Sequence, residues 1–245
     1  MRGGLLAPSA LALLLAAISL ACRVEQRAAP GQLGRADVSP SEIMARVGRT
    51  AQSVESYRSE VSYSAVDALG PTESTTRTAQ AGPDFYQGSS QQAGVTDERL
   101  YYRGEFFYRS SPEGHWQPDP ETQQRLEPAD IQQMTYAGLI SYYSEMYADL
   151  ERLEDTTIDG QAMIHLGRTG RSTDAGYPTP FGMMGEPYTS TSMLQFWIGV
   201  DDFLVYQMEE SVVSTQGKQK DAYETVWTFT DHNGDVELPG PMPEP

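Results

Sequence analysis

The sequence is poor in the residues that build redox and metal sites. It contains one cysteine in 245 residues, so no disulfide can form within the chain, and a domain of this size has enough core to fold without one. Its three histidines, His115, His165 and His232, are far apart, and none has a second ligand three or four residues away. No phosphate-binding loop, nucleophile elbow or paired-cysteine motif is present. We therefore predict that the protein is not an enzyme and has no metal or cofactor.

Basic residues are also scarce. There are 17 Lys and Arg against 34 Asp and Glu, which gives a formal net charge of −17. Nucleic-acid binding needs a basic face, so the charge excludes it. The same charge argues against a domain that lies flat on anionic lipid headgroups. With 39% hydrophobic and 10% aromatic residues, the chain can nevertheless build a substantial core.

Long hydrophobic runs are absent except at the N-terminus. A nearly unbroken apolar stretch spans residues 10–18 after the basic Arg2, and Ser19-Leu20-Ala21-Cys22 follows it. A charged start, a short apolar core and a small residue predict a signal peptide. Cysteine directly after the small residue is typical of a bacterial lipoprotein signal, although Ser19 stands where such signals usually carry leucine. Two alternatives remain open: an uncleaved anchor helix, which residues 5–21 with Pro8 would barely span, and a chance cysteine in an ordinary signal peptide.

Lipidation of Cys22 would fix where the protein resides. A diacylglyceryl group supplies two acyl chains, which is what stable anchoring requires. We predict export, with Cys22 in the cell membrane or the outer membrane and the domain in the periplasm or outside the cell. The predicted division is a signal peptide at 1–21, acylated Cys22 with a flexible tether at 22–40, one domain at 41–238, and a disordered tail at 239–245 that contains four prolines.

Hydrophobic periodicity predicts two helices and many short strands. Ile43, Met44, Val47, Ala51 and Val54 share one face of a helix that begins near Pro40, and a second apolar stripe predicts a helix over about 128–153. Alternating segments punctuated by Gly and Pro fill most of the remainder. We predict an α+β fold, in which a strongly curved antiparallel sheet of about 7–10 strands covers two main helices.

Four stretches in this order resemble a known family. They are the first helix running into Ser56-Tyr57-Arg58, the run at 100–109 followed by Trp116, the run at 196–202, and the run at 228–239. Together they resemble the lipoprotein-carrier fold shared by LolA-like periplasmic carriers and LppX/LprG-type lipid-binding lipoproteins, over about residues 40–240. The insertion at 168–189 departs from the family pattern.

The resemblance implies that the sheet forms an incomplete β-barrel wrapped over the helices, with an apolar cavity between them. The cavity would bind acyl chains such as palmitate, and the partner of the monomeric protein would be a lipid or a lipidated protein. The residues expected to line it are Val47, Val54, Tyr102, Met134, Tyr142, Met146, Tyr223, Trp227 and Phe229. The alternative for these residues is an ordinary filled core. The protein would then be a non-carrier envelope lipoprotein that uses the same fold for protein interaction or assembly.

The segment at 176–188 is expected to form an apolar lip at the cavity mouth. It carries Phe181, Met183 and Met184 among three glycines and three prolines, which excludes a regular helix or strand. A long loop of this kind inside a compact domain is usually functional or disordered. The alternative is a passive linker.

Replacing Cys22 with serine should release the protein from membranes or leave the precursor uncleaved, because serine cannot carry the thioether-linked lipid. Cell fractionation with immunoblotting measures this. If the Cys22→Ser variant is processed normally and still sediments with membranes, the lipoprotein signal is misassigned.

Deleting 178–187 should weaken uptake of a fluorescent fatty acid while leaving the melting temperature nearly unchanged, because the lip would contact ligand and not the core. Unaltered uptake by the deletion variant would leave this segment a passive linker.

Overall fold

The computed structural model describes residues 38–91, 96–111, 114–126, 128–146, 149–174 and 188–239. The predicted signal peptide, most of the tether, and residues 240–245 of the tail lie outside the described residues. The described part of the chain forms twelve strands and four helices. None of the helices in these ranges has the length and apolar character to cross a bilayer.

The helices are α1 (Pro40–Ala51), α2 (Pro120–Arg125), α3 (Pro128–Gln133) and α4 (Tyr136–Met146). The strands are β1 (Ser56–Asp67), β2 (Gly70–Ala81), β3 (Asp84–Gln91), β4 (Thr96–Tyr102), β5 (Glu105–Arg109), β6 (Gln117–Pro118), β7 (Glu151–Arg152), β8 (Thr156–Ile158), β9 (Gln161–Asp174), β10 (Tyr188–Gly199), β11 (Val205–Gln216) and β12 (Gln219–Thr230).

All the strands join one antiparallel sheet. The strand order is β6-β5-β4-β3-β2-β1-β12-β11-β10-β9-β7, and β8 also pairs with β9. The first and last strands along the chain, β1 and β12, are therefore neighbours in the middle of the sheet. β6 and β7 end the order and do not pair with each other, so the sheet stays open. This confirms the predicted α+β fold and incomplete barrel. The strand number exceeds the predicted 7–10 because β6, β7 and β8 are only two or three residues long and carry no readable alternation.

The first helix forms as predicted. Ser39 caps it by accepting a hydrogen bond from the backbone N–H of Glu42 at 3.2 Å, and Pro40 occupies the first turn, where its missing N–H costs nothing. Ile43, Met44, Val47 and Ala51 are buried on one face.

The second predicted helix is broken, contrary to the continuous helix expected over 128–153. Thr135 ends α3 and caps α4: its backbone N–H donates to the Gln132 carbonyl at 3.2 Å, and its hydroxyl accepts from the Gly138 N–H at 3.2 Å. The Gln132 carbonyl lies so close to Gly138 that no Cβ would fit there. The helix also ends earlier than expected, because Glu151–Arg152 pairs with β9 as a strand.

The predicted insertion at 168–189 is shorter than expected at both ends. β9 continues to Asp174 and β10 already begins at Tyr188, and the two strands pair in unbroken register from Gly199↔Met163 to Tyr188↔Asp174. The ends of β9 and β10 are exposed and rich in Ser and Thr. They lack the alternation of apolar and polar residues by which a strand is recognised in a sequence.

One face of the sheet, here called the inner face, packs against α1 and α4. The buried cluster joins helix residues to alternate residues of the central strands, among them Val47, Ile140, Tyr57, Phe196, Met208 and Phe229. Strand alternation sends the intervening side chains to the opposite, outer face.

Tyr136, the first residue of α4, is fully buried and fastens that helix to the sheet. Its hydroxyl donates to the Val205 carbonyl at 3.3 Å and accepts from the Val205 N–H at 2.8 Å. Its backbone N–H donates to Gln80 at 3.2 Å. The ring lies 5.3 Å from that of Tyr57 and 5.5 Å from that of Phe229. Burial raises the pKa of Tyr136, so the hydroxyl stays protonated and able to donate.

Replacing Tyr136 with phenylalanine should lower the free energy of unfolding by about 1–3 kcal/mol, because the Val205 N–H loses its partner in a buried place. Denaturant unfolding measures the change. The matched control is Tyr142→Phe on the same helix, at a half-exposed position, where the change should stay within about 0.5 kcal/mol. Equal effects at the two positions would contradict this role of Tyr136.

Candidate functional site

A pocket of about 170 Å³ lies between the inner face of the sheet and the helical segment of α3 and α4. β1, β2, β3 and β12 form its floor. Its lining residues are Tyr57, Ser59, Val61, Thr78, Phe85, Gln87, Gln133, Met134, Leu139 and Trp227. Met134, at the end of α3, is 39% exposed, so the pocket reaches solvent beside this short helix.

The pocket is electrically neutral. None of its lining residues carries a charge at neutral pH, and burial raises the pKa of the Tyr57 hydroxyl, which keeps it protonated. Its polar members are amides and hydroxyls, and the rest are aromatic or aliphatic. Such a lining can take an apolar group, and it offers neither a general acid or base nor an electrostatic clamp for an anion.

Aromatic side chains continue from the pocket along the inner face. The Trp227 ring lies 5.5 Å from that of Tyr143 on α4, which in turn lies 5.3 Å from that of Tyr142. On the sheet, Tyr63 and Tyr223 are in ring contact at 6.3 Å. We call these five residues the aromatic track.

Strand register explains the sheet side of this track. Val61 pairs with Trp227, and both line the pocket. Tyr63 lies two residues beyond Val61, and Tyr223 four residues from Trp227, so both rings project from the same face. Four residues of strand span about 13 Å. Tyr63 and Tyr223 are each 36% exposed and Tyr142 is 50% exposed, so the track leads from the pocket to a more exposed part of the inner face.

The residues that the sequence proposed as a cavity lining lie in several places. Met134 and Trp227 line the pocket. Tyr142 and Tyr223 lie on the aromatic track outside it. Val47, Val54 and Phe229 are buried in the core cluster and do not line the pocket.

Tyr102 lies away from this site. Phe85 lines the pocket and pairs with Tyr101, so Tyr102 projects from the outer face, where the Arg103 guanidinium lies 4.9 Å from its ring centroid. The backbone of Met146 ends α4, and its side chain is not among those described. Cys22 and the lip residues Phe181, Met183 and Met184 also lie outside the described residues.

Four apolar lining residues were not among the sequence candidates: Tyr57, Val61, Phe85 and Leu139. The two-residue period of β1 places Tyr57 and Val61 on one face, and this signal was available from the sequence. Phe85 and Leu139 had no such signal, because their place depends on how β3 and α4 pack.

The outer face carries a separate buried ionic cluster. Glu98 and Arg109 form an ion pair with both side chains almost fully buried, the Tyr86 hydroxyl donates to Glu98 at 2.9 Å, and the Arg109 guanidinium lies 4.4 Å from the Trp116 ring centroid. Burial and the bond to Glu98 raise the pKa of Tyr86 to about 12. The charges compensate each other and the pocket lies on the other side of the sheet, so this cluster holds the β3–β5 region together and is not part of the candidate site.

Two histidines pack against aromatic rings outside the candidate site. His165 stacks on Trp197 at 4.5 Å on the outer face, and His232 packs between Tyr136 and Tyr206. Burial lowers the pKa of both imidazoles. Within the described ranges, no three His, Cys, Asp or Glu side chains are grouped so that they could hold a metal ion.

No protein-family model and no curated protein matches this sequence. Similar solved structures include LprF from Mycobacterium bovis, with 12% identity over 83% of this chain and 99% of that chain and a TM-score of 0.44. The alignment with LppX from Mycobacterium tuberculosis covers 82% of this chain and 100% of the LppX chain, at 12% identity and with a TM-score of 0.37. The alignment with a LolA superfamily protein from Nitrosomonas europaea covers 84% of this chain and 96% of the other protein's chain, at 11% identity and with a TM-score of 0.27.

LppX and the LolA superfamily are both named in the resemblance that the sequence predicts. The TM-scores are below 0.5 and the identities are near 12%, so the function is inferred below from the residues of this chain.

Proposed function

We propose that this protein is an exported lipoprotein, anchored through Cys22, whose open barrel binds one apolar chain on its inner face. The ligand would be an acyl chain of a lipid or of a lipidated protein, and the protein would act as a monomer. The observation that carries the proposal is the aromatic track, which runs from the neutral pocket at Trp227 to the half-exposed rings of Tyr63, Tyr223 and Tyr142.

The pocket volume sets the binding geometry. About 170 Å³ is less than the roughly 300–1,000 Å³ typical of ligand sites, so the pocket can receive only the end of a long chain. The remainder would lie along the aromatic track. Each buried CH₂ contributes about 0.8 kcal/mol, so ten of them would supply about 8 kcal/mol before the costs of association. The neutral lining selects for the chain and not for a headgroup.

The pocket can enlarge on one side without disturbing the core. α3 is only six residues long, and its neighbour Met134 is exposed. α4 is fixed at its first residue by Tyr136, and Thr135 marks the break between the two helices. Movement of α3 about Thr135 would open the pocket while Tyr136 keeps α4 on the sheet.

The second candidate is a non-carrier envelope lipoprotein that uses the fold for protein interaction. The small volume of this pocket favours the second candidate, because about 170 Å³ leaves little room for a ligand. The two candidates differ in one respect that can be measured: only the first places an apolar chain beside Trp227.

A doxyl-labelled fatty acid should quench the fluorescence of Trp227 and leave Trp197 unchanged. The first ring lies on the inner face in the pocket, whereas the second stacks on His165 on the outer face. Steady-state fluorescence of two variants, each keeping one of these tryptophans with Phe at the other two tryptophan positions, separates the signals. We expect saturable quenching of at least half the Trp227 emission.

The unlabelled fatty acid should reverse the quenching by competition. Equal quenching of Trp197 and Trp227 would indicate non-specific partitioning and contradict the inner-face site. Absence of quenching at both positions would favour the interaction module.

A further inference from the structure

The most deeply buried part of the pocket contains two hydroxyl groups. Tyr57 and Ser59 both line the pocket, and they are only 2% and 8% exposed. They lie two residues apart on β1, so strand alternation places both side chains on the inner face. The floor of an otherwise aromatic and aliphatic pocket is therefore polar at this point.

The hydroxyl of Tyr57 faces the pocket without a hydrogen-bond partner. Within the described ranges no residue bonds to it, whereas the hydroxyl of the adjoining Tyr136 has two partners. Among the described residues, the fully enclosed side-chain polar atoms that lack a partner are Trp116 Nε1 and His232 Nε2. A buried hydroxyl that is neither bonded nor fully enclosed must reach the space that its side chain lines, which is the pocket. The same reasoning holds for Ser59.

Polar side chains continue from this floor to the pocket mouth. Ser59 pairs with Thr78 on β2, and Thr78 pairs with Gln87 on β3, so the three side chains stand side by side on strands about 4.8 Å apart. Ser59 is buried, Thr78 is half-buried and Gln87 is exposed. A polar group that enters the pocket can thus exchange one hydrogen-bond partner for the next on its way to the floor.

A purely hydrocarbon chain end does not satisfy the two buried hydroxyls. Methylene groups in the pocket would displace water from Tyr57 and Ser59 and offer them no partner, and a buried polar group without a partner is unfavourable. A small ligand group that both donates and accepts hydrogen bonds would satisfy both side chains.

The lining decides which polar group of an acyl lipid fits. A carboxylate or phosphate is a poor occupant, because no Lys, Arg or His is among the described residues that line the pocket. An ester or amide carbonyl brings the rest of the lipid with it, for which about 170 Å³ has no room. A hydroxyl near the free end of the chain is neutral and small, and it can donate to one side chain and accept from the other.

We propose that the pocket binds the free end of an acyl chain that carries a hydroxyl group near that end, with Tyr57 and Ser59 as hydrogen-bonding partners of this hydroxyl. The inference rests on the chain binding proposed above and adds the class of chain. Tyr57 and Ser59 would determine specificity, while the aromatic track holds the rest of the chain.

The test compares 16-hydroxyhexadecanoate with hexadecanoate, two acids that differ only in a hydroxyl at the free end. Each is titrated against the complex of the purified protein with the doxyl-labelled fatty acid, and the recovery of tryptophan fluorescence gives its dissociation constant. The hydroxy acid should bind roughly tenfold tighter, which corresponds to the net gain from one or two hydrogen bonds. Equal affinities, or tighter binding of hexadecanoate, would overturn this inference and leave chain binding intact. Failure of both acids to displace a bound probe would overturn the proposed function as well.

Tyr57→Phe tests the residue itself. The preference for the hydroxy acid should fall to about threefold, because Ser59 alone remains as a partner. Binding of hexadecanoate should tighten, because phenylalanine has no hydroxyl to desolvate. The melting temperature should stay the same or rise, in contrast to Tyr136→Phe, because the hydroxyl removed has no partner in the folded chain.

Ser59→Ala should reduce the preference in the same way. The matched control is Tyr102→Phe on the outer face, which should keep the preference of the parent protein, and circular dichroism checks that all three variants fold. A preference that persists in both Tyr57→Phe and Ser59→Ala would overturn the assignment. An equal loss of affinity for both acids in these two variants would also overturn it, because it would indicate a structural role.

Discussion

The buried hydroxyl of Tyr136 must be hydrogen-bonded, and this requirement determines where the helical layer sits on the sheet. Both partners of the hydroxyl belong to Val205, at the start of β11, and the backbone N–H of the same residue reaches Gln80 on β2. One residue thus ties α4 to strands on both sides of the central β1–β12 pair. An unpaired polar group at this depth would cost about 1–3 kcal/mol, so α4 cannot slide along the sheet.

Fixing α4 at its first residue leaves the inner face only partly covered. Phe229 and Tyr57 pack against the anchored end, while Trp227 lies at the boundary and Tyr223 lies beyond it. The same β12 strand therefore passes from core to partly exposed surface within eight residues. An open sheet with a short helical layer produces this gradient, and a closed barrel packed to its centre would not. The aromatic track is thus a consequence of the architecture as well as the basis of the proposed function.

Sequence patterns predicted the parts of the fold that depend on local periodicity. The apolar stripe of α1 and the alternation on β1 and β12 are strong signals, and they correctly indicated an antiparallel sheet with helices on one face. Local patterns could not show that Thr135 and Gly138 interrupt the second helix, because the decisive contact is the Gln132 carbonyl against Gly138.

The candidate site was harder to predict than the fold. The register between β3 and β4 determines which face of the sheet carries Tyr102. Because β4 has aromatic residues on both faces, its sequence does not show which of them point inward. The pocket volume depends on how completely Leu139, Met134 and Phe85 fill the space under α3. Packing of that kind is a property of the assembled layers, which is why Trp227 could be proposed from sequence whereas the size of its pocket could not.

The central claim is that the inner face holds an apolar chain. The most direct measurement is mass spectrometry of an organic extract of the protein purified without its signal peptide, beside a Val61→Asp variant shown to be folded by circular dichroism. We expect about one acyl lipid per chain in the parent and a large loss in the variant, because Val61 lies in the pocket beside Trp227. A lipid-free parent, or equal lipid in both proteins, would contradict the claim.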